Sequence, residues 1–194
     1  MRVNDKFFDL VPDRSGTCSL KWSKYDSSEI IPLWVADMDY RSPQCVIDLA
    51  ERICVDGNFG YGVCPSGLYE VVQSRTLSLY DWSINQNWLT WLPGMVCGLN
   101  VTCRVFENEA NQVITNIPVY PPFLSAPGNF GIASTRIPMI LKNDRFTIDF
   151  DKLNNLATQK GDLFMLCHPH NPVGTNFSRE ELLKLGEYVL ERGL

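Results

Sequence analysis

The chain has 194 residues, 45% of them hydrophobic and 20% charged, the composition of a folded globular protein rather than a disordered one. Its 17 basic and 22 acidic residues give a net charge of −5 with no basic cluster, which argues against nucleic acid or an anionic membrane as a partner. The opening Met1-Arg2-Val3-Asn4-Asp5-Lys6 lacks the apolar core of a signal peptide, and no run of about 18 apolar residues occurs. Seven cysteines, scattered rather than set at paired spacings, read as buried, reduced thiols, so the expected compartment is the cytosol (cytoplasmic).

Residues 1–42 read as an irregular, polar N-terminal segment ending in a short apolar run, residues 30–35. Ser42-Pro43 predicts a helix start, with serine as N-cap and proline at the first helical position. Val46, Ala50 and Ile53 follow at helical spacing, and Gly57 closes the segment. Residues 58–67 form a glycine- and proline-rich loop carrying Tyr61, and a second amphipathic helix presents Leu68, Val71, Val72 and Leu79 on one face.

From Trp88 the pattern changes to short strands alternating with helices. The expectation is a strand over 88–92, a turn at Pro93-Gly94, a helix over Met95–Phe106 and a strand over 113–117. Extended segments at 132–140 and 146–150, a short helix over 151–158 and a strand over 163–167 come next. The last element is a helix over Arg179–Arg192, opened by a Ser178/Glu181 capping box and turning Leu182, Leu185 and Val189 inward. Such alternation predicts an α/β fold, a mostly parallel sheet with helices on both faces. Gly193 reads as a helix end and Leu194 as the first residue of a further strand, so the expectation is the N-terminal half of a longer protein, a truncated fold.

The most telling stretch is His168-Pro169-His170-Asn171-Pro172-Val173-Gly174, a turn stiffened by prolines between an apolar strand and a capped helix. Ligands of open α/β sheets bind outside the carboxyl ends of the strands, where Asn171 would stand. On its own an Asn-Pro is more often a turn and nothing more. Four other motifs follow the same order as a known family: Pro32-Leu33-Trp34-Val35-Ala36-Asp37-Met38-Asp39-Tyr40, Phe59-Gly60-Tyr61, Leu92-Pro93-Gly94-Met95-Val96 and Pro118-Val119-Tyr120-Pro121-Pro122-Phe123. Together they resemble the fold-type I pyridoxal-phosphate enzymes, the aminotransferase class I/II superfamily, in its C–S β-lyase branch of cystathionine β-lyase and cystalysin-like proteins.

The resemblance implies pyridoxal 5′-phosphate as cofactor, a homodimer, and an amino-acid substrate with a β-thio leaving group; an aminotransferase of the same fold, or a non-catalytic fragment, is the alternative. It implies that the backbone amides of Met95 and Val96 hold the cofactor phosphate, a position that a helix N-terminus suits and that an ordinary turn would also explain. Tyr120 would stack on the ring, or else pack over its Pro-Pro turn; Asn171 would donate to the ring's phenolic oxygen. A cis Asn171-Pro172 peptide is expected with it. Tyr61 would reach the phosphate of the partner subunit's cofactor, or else cover its own core, and Ala36 would offer its amide to the substrate carboxylate. No metal is expected at Cys167, His168 and His170, whose spacing two prolines distort. No residue of the chain is assigned the covalent and proton-transfer role: the family's lysine is expected beyond Leu194, and Lys184 is the one lysine after Asn171. Residues 1–42 would then belong to a small domain and 43–194 to part of the large, cofactor-binding one.

Overall fold

The computed structural model describes residues 8–27 and 29–194. They form two compact units, one running to Val71 and the other spanning Val72–Leu194.

The first unit is organised by charge. The Arg14 guanidinium grips Asp37 with both nitrogens (2.8 and 3.0 Å), and one of them also reaches the Ser19 hydroxyl at 3.0 Å. Lys21, itself buried, donates to the Asp37 carbonyl at 2.7 Å and to the Asp39 carboxylate at 2.8 Å. The Trp22 indole completes the Asp39 site at 3.0 Å. Helix α1 (Gln44–Asp56) then begins one residue away from the sequence expectation, because Pro43, not Ser42, is the N-cap. Pro43 keeps an extended ψ of 142° while its carbonyl already accepts from the amides of Val46 and Ile47, which is what defines an N-cap. Gly57 ends the helix as expected, at a φ of 65° that favours glycine. Neither α1 nor α2 (Ser66–Tyr80), which crosses the boundary between the units, buries a residue.

The second unit is organised by apolar packing. After α2 the expected strand over 88–92 is absent; in its place Gln86–Trp88 makes a turn of 3₁₀ helix. The cause is local: the Asn85 side chain accepts from the Asn87 amide and starts a helical turn where the aromatic pattern suggested a strand. Then come α3 (Met95–Phe106), β1 (Gln112–Ile117), α4 (Pro122–Ser125), β2 (Ala133–Pro138), β3 (Ile140–Lys142), β4 (Arg145–Thr147), α5 (Phe150–Asn154), β5 (Leu163–Phe164) and α6 (Arg179–Arg192).

Strands β2, β1 and β5 lie in that order in one parallel sheet, with Ile114 opposite Thr135 on one side and Phe164 on the other. Strand β1 is central, and four consecutive residues from Val113 to Asn116 are buried. Its side chains alternate between two cores. Val113 joins Leu99 and Cys103 of α3 and Phe123 of α4, whereas Ile114 joins Leu153 of α5 and Leu185 and Tyr188 of α6. Helices therefore cover both faces of a parallel sheet, as the alternation predicts.

Three extents differ from expectation. The segment 132–140 divides at Met139, whose amide turns to the Ile117 carbonyl (2.8 Å), and β3 leaves the sheet to pair antiparallel with β4. The helix expected over 151–158 is only Phe150–Asn154, started by Asp149, whose carboxylate accepts from the Lys152 amide. The strand expected over 163–167 pairs only through Phe164, with Met165 adding one further bond to Ile114. The cysteines are all unpaired, yet only Cys103 is buried, since those on α1 share that helix's exposure. Among the described residues no helix is long and apolar enough to cross a membrane.

Candidate functional site

Parallel neighbours end at the same edge, so β1 and β5 deliver their following turns side by side. The turn after β1 carries Pro118, Val119 and Tyr120; Val119 and Phe123 are buried beneath it, and Tyr120 is left at the rim, partly exposed. The turn after β5 carries His168 to Gly174, with cis peptides at His168-Pro169 and Asn171-Pro172. Asn171 is exposed, and its backbone amide donates to the Cys167 sulfur at 3.5 Å. Helix α3 reaches the same edge from the other direction. A short turn (107–111) joins it to β1, and Leu99 and Cys103 pack back along the strand. Its first residues, Met95 and Val96, therefore stand near the carboxyl ends of the strands.

The start of α3 is chemically open. Its N-cap is Gly94, at φ 154° and ψ 167°, with no side-chain cap and no acidic residue in the first turn. A Cβ built at Gly94 would meet nothing within 4 Å, so there is space against the first amides. Uncapped amides and the positive end of the helix dipole suit an anion. The start of α6 is the opposite: Ser178 and Glu181 form the expected capping box, and Glu180 and Glu181 fill its first turn with negative charge. Burial alone would push the Glu181 carboxyl up, but hydrogen bonds from Thr147, the Ser178 amide and Arg145 outweigh it and hold the group at about 2.

Four of the sequence-predicted residues, Met95, Val96, Tyr120 and Asn171, thus share one end of one unit. Ala36 and Tyr61 belong to the other unit, and both are exposed. The residues that follow Ala36 are held by the charged network, through Asp37 and Asp39. Hydrogen bonds from Arg14 hold the Asp37 carboxyl below the ordinary range, and those from Lys21 and Trp22 do the same for Asp39. Lys184 lies on α6 with its ammonium 4.3 Å from the centre of the Phe150 ring.

The family model for aminotransferase class I and II matches residues 38–194. The chain belongs to that family. Cystathionine beta-lyase PatB of Bacillus subtilis is 35% identical over 192 residues, which cover 96% of this chain and 50% of that protein. Among solved structures, OvoB superposes with a TM-score of 0.87 at 37% identity over 96% of this chain and 49% of that one. Cystalysin from Treponema denticola, whose crystal structure contains pyridoxal 5′-phosphate, gives 0.85 at 29% identity over 95% of this chain and 49% of that one. The chain spans about half the length of the relatives it matches.

Two buried polar residues near these strand ends escape a reading of the sequence. Asn116, 2% exposed near the carboxyl end of β1, has both side-chain polar atoms unpartnered. Its signal is only a polar letter inside a buried strand. His170 is 1% exposed, with its ring between two backbone carbonyls. The sequence offered it as a metal candidate to be dismissed, when its partner Pro118 lies far upstream.

Proposed function

We propose that the protein acts as a pyridoxal-phosphate-dependent C–S β-lyase on amino acids of the cystathionine or cysteine type. The substrate's C–S bond breaks, the leaving sulfur takes a proton, and water completes release of pyruvate and ammonia beside the thiol. The observation that carries the reading is the open start of α3: uncapped amides, no acidic side chain and space at Gly94 are what a phosphate dianion requires. Bound there, pyridoxal phosphate supplies an electron sink for the charge left at the substrate α-carbon.

In this reading the amides of Met95 and Val96 bind the phosphate, and Tyr120 covers the ring and excludes water from that side. Asn171 donates its side-chain amide proton to the ring's phenolic oxygen, and the Ala36 amide orients the substrate carboxylate. The α-proton is moved by a lysine outside these 194 residues, so residues 1–194 alone release no thiol. Residues 1–42 are assigned to a small domain and 43–194 to the cofactor-binding domain. The working form is a homodimer in which Tyr61 reaches the partner's phosphate; its full exposure supports that role. Seven unpaired cysteines support a reducing compartment, the cytosol.

The family also supports a second reading, an aminotransferase, which would use the same phosphate and ring contacts. The two separate in one assay of the full protein loaded with cofactor and given cystathionine together with a 2-oxo acid. Thiol and pyruvate in equal amounts is the expected outcome. Transfer of the amino group to a 2-oxo acid without thiol release would replace the lyase reading with the second one.

A further inference from the structure

We propose that His170 is a positioning residue, a latch that ties the turn carrying Tyr120 to the turn carrying Asn171 and so sets the gap in which a cofactor ring is held. The inference rests on the pyridoxal-phosphate reading above.

The need for a latch comes from the sheet. Between β1 and β5 the ladder covers only Val113 opposite Leu163 and Ile114 opposite Phe164, with the Met165 amide adding a bond to Ile114 at 2.8 Å. Beyond that point side chains take over. The Thr115 hydroxyl donates to the Met165 carbonyl at 3.0 Å. Further on, the His170 ring reaches across, with Nε2 2.7 Å from the Pro118 carbonyl oxygen and Nδ1 3.1 Å from that of Cys167. Pro118 stands two residues before Tyr120, and His170 directly precedes Asn171.

The ring can act as a latch because its own frame is closed. The His170 amide donates to the Thr175 carbonyl at 2.8 Å, and the Gly174 amide donates back to the His170 carbonyl at 2.7 Å. Phe177 meets the ring edge-on at 5.7 Å and fixes its plane. A histidine that merely filled the core would need one polar partner. This one faces acceptors from the ends of two different strands. With the proton on Nε2 it donates to Pro118, the shorter contact and the one that crosses between the turns.

Side-chain reach makes the proposal testable. The amide nitrogen of glutamine can stand where Nε2 stands; that of asparagine is too short to cross. Two probes are titrated on the full chain: 4′-deoxypyridoxine 5′-phosphate, which carries ring and phosphate but needs no lysine, and inorganic phosphate. His170→Asn is expected to weaken the ring probe roughly tenfold, equivalent to about 1.4 kcal/mol, and to diminish the circular dichroism induced in the bound ring. Phosphate affinity should stay within about twofold, because the start of α3 is untouched, and His170→Gln should recover most of the loss. Equal binding of the ring probe by wild type and His170→Asn would overturn the latch alone, as would parallel loss of both probes. A wild type that binds no ring probe would overturn the cofactor reading and the latch with it. Should His170→Asn fail to fold, the wild type decides: a His170 Nε2 proton that exchanges with solvent as fast as a free imidazole's means there is no latch, and a protected one supports it.

Discussion

The two units hold themselves together by different means. Residues 72–194 bury apolar side chains on both faces of β1, while the described part of the first unit relies on Arg14, Lys21, Asp37 and Asp39 and leaves its helices uncovered. Yet α1 and α6 carry apolar residues at the same helical spacing. In α6 that spacing ends in buried Leu185; in α1 it ends in Val46, Leu49 and Ile53, all exposed. Periodicity therefore identifies a face and says nothing of what covers it. An apolar helix face left open is also the kind of surface on which a second protein surface settles, in line with the proposed dimer.

The sharpest way to break this contrast is to truncate one residue in each unit. Ile114 is completely buried in the centre of the sheet, so Ile114→Ala should cost about 2–5 kcal/mol in urea unfolding. Leu49→Ala removes a side chain that is half in solvent and should change stability by about 0.5 kcal/mol or less. Equal losses would show that the first unit has a core of its own.

A smaller effect is expected at Glu181, where the second unit uses charge. Its carboxyl is held at about 2, below the ordinary 4.5, so its stabilising contribution is complete above about 4.5 and is lost as the pH falls towards 2. Thermal melts across that window should show wild type losing stability faster than Glu181→Gln. At neutral pH the variant should be destabilised by roughly 1–3 kcal/mol, because glutamine can keep the capping bond from the Ser178 amide but loses the negative charge that the Arg145 and Thr147 donors meet. A variant that keeps the wild-type acid profile would assign that profile to other groups.

In the first unit the corresponding change should be local. Arg14→Gln removes the two-pronged grip on Asp37, the contact that keeps its carboxyl below the ordinary range. Hydrogen exchange should accelerate over residues 35–39 while the unfolding midpoint of residues 72–194 stays put. A global shift would mean that the two units unfold as one.

How much of this was legible in the sequence depended on how local the cause was. Helices α3 and α6 occupy the residues that the pattern predicts, because glycine or a capping box marks their starts and a periodic face runs through them. The cis peptide at Asn171-Pro172 stands where the family resemblance puts it. What failed was decided by one side chain or by a distant partner. The Asn85 carboxamide turned an expected strand into a helical turn. The β5 ladder stops at Phe164 although β1 runs on to Ile117, and the Thr115 hydroxyl takes the Met165 carbonyl instead, a partner that no window around residue 165 contains. The His170 ring meets the Pro118 carbonyl across the sheet edge, a contact that could be seen only in three dimensions.

The smallest expected effect belongs to Tyr61. It is fully exposed, so nothing in its own chain should miss it, and Tyr61→Phe should leave the melting temperature unchanged, within about 0.5 kcal/mol. The hydroxyl matters only if a second copy supplies the phosphate it reaches. The substitution should therefore weaken phosphate affinity in concentrated samples, where dimers form, and have no effect in samples dilute enough to be monomeric. Wild type should show the matching trend, its affinity rising with protein concentration and levelling off once association is complete. If Tyr61→Phe weakens phosphate binding equally at every concentration, the tyrosine serves its own chain and the shared site is excluded. If it lowers the melting temperature by several degrees, the residue packs against its own unit and the contrast drawn between the two units narrows.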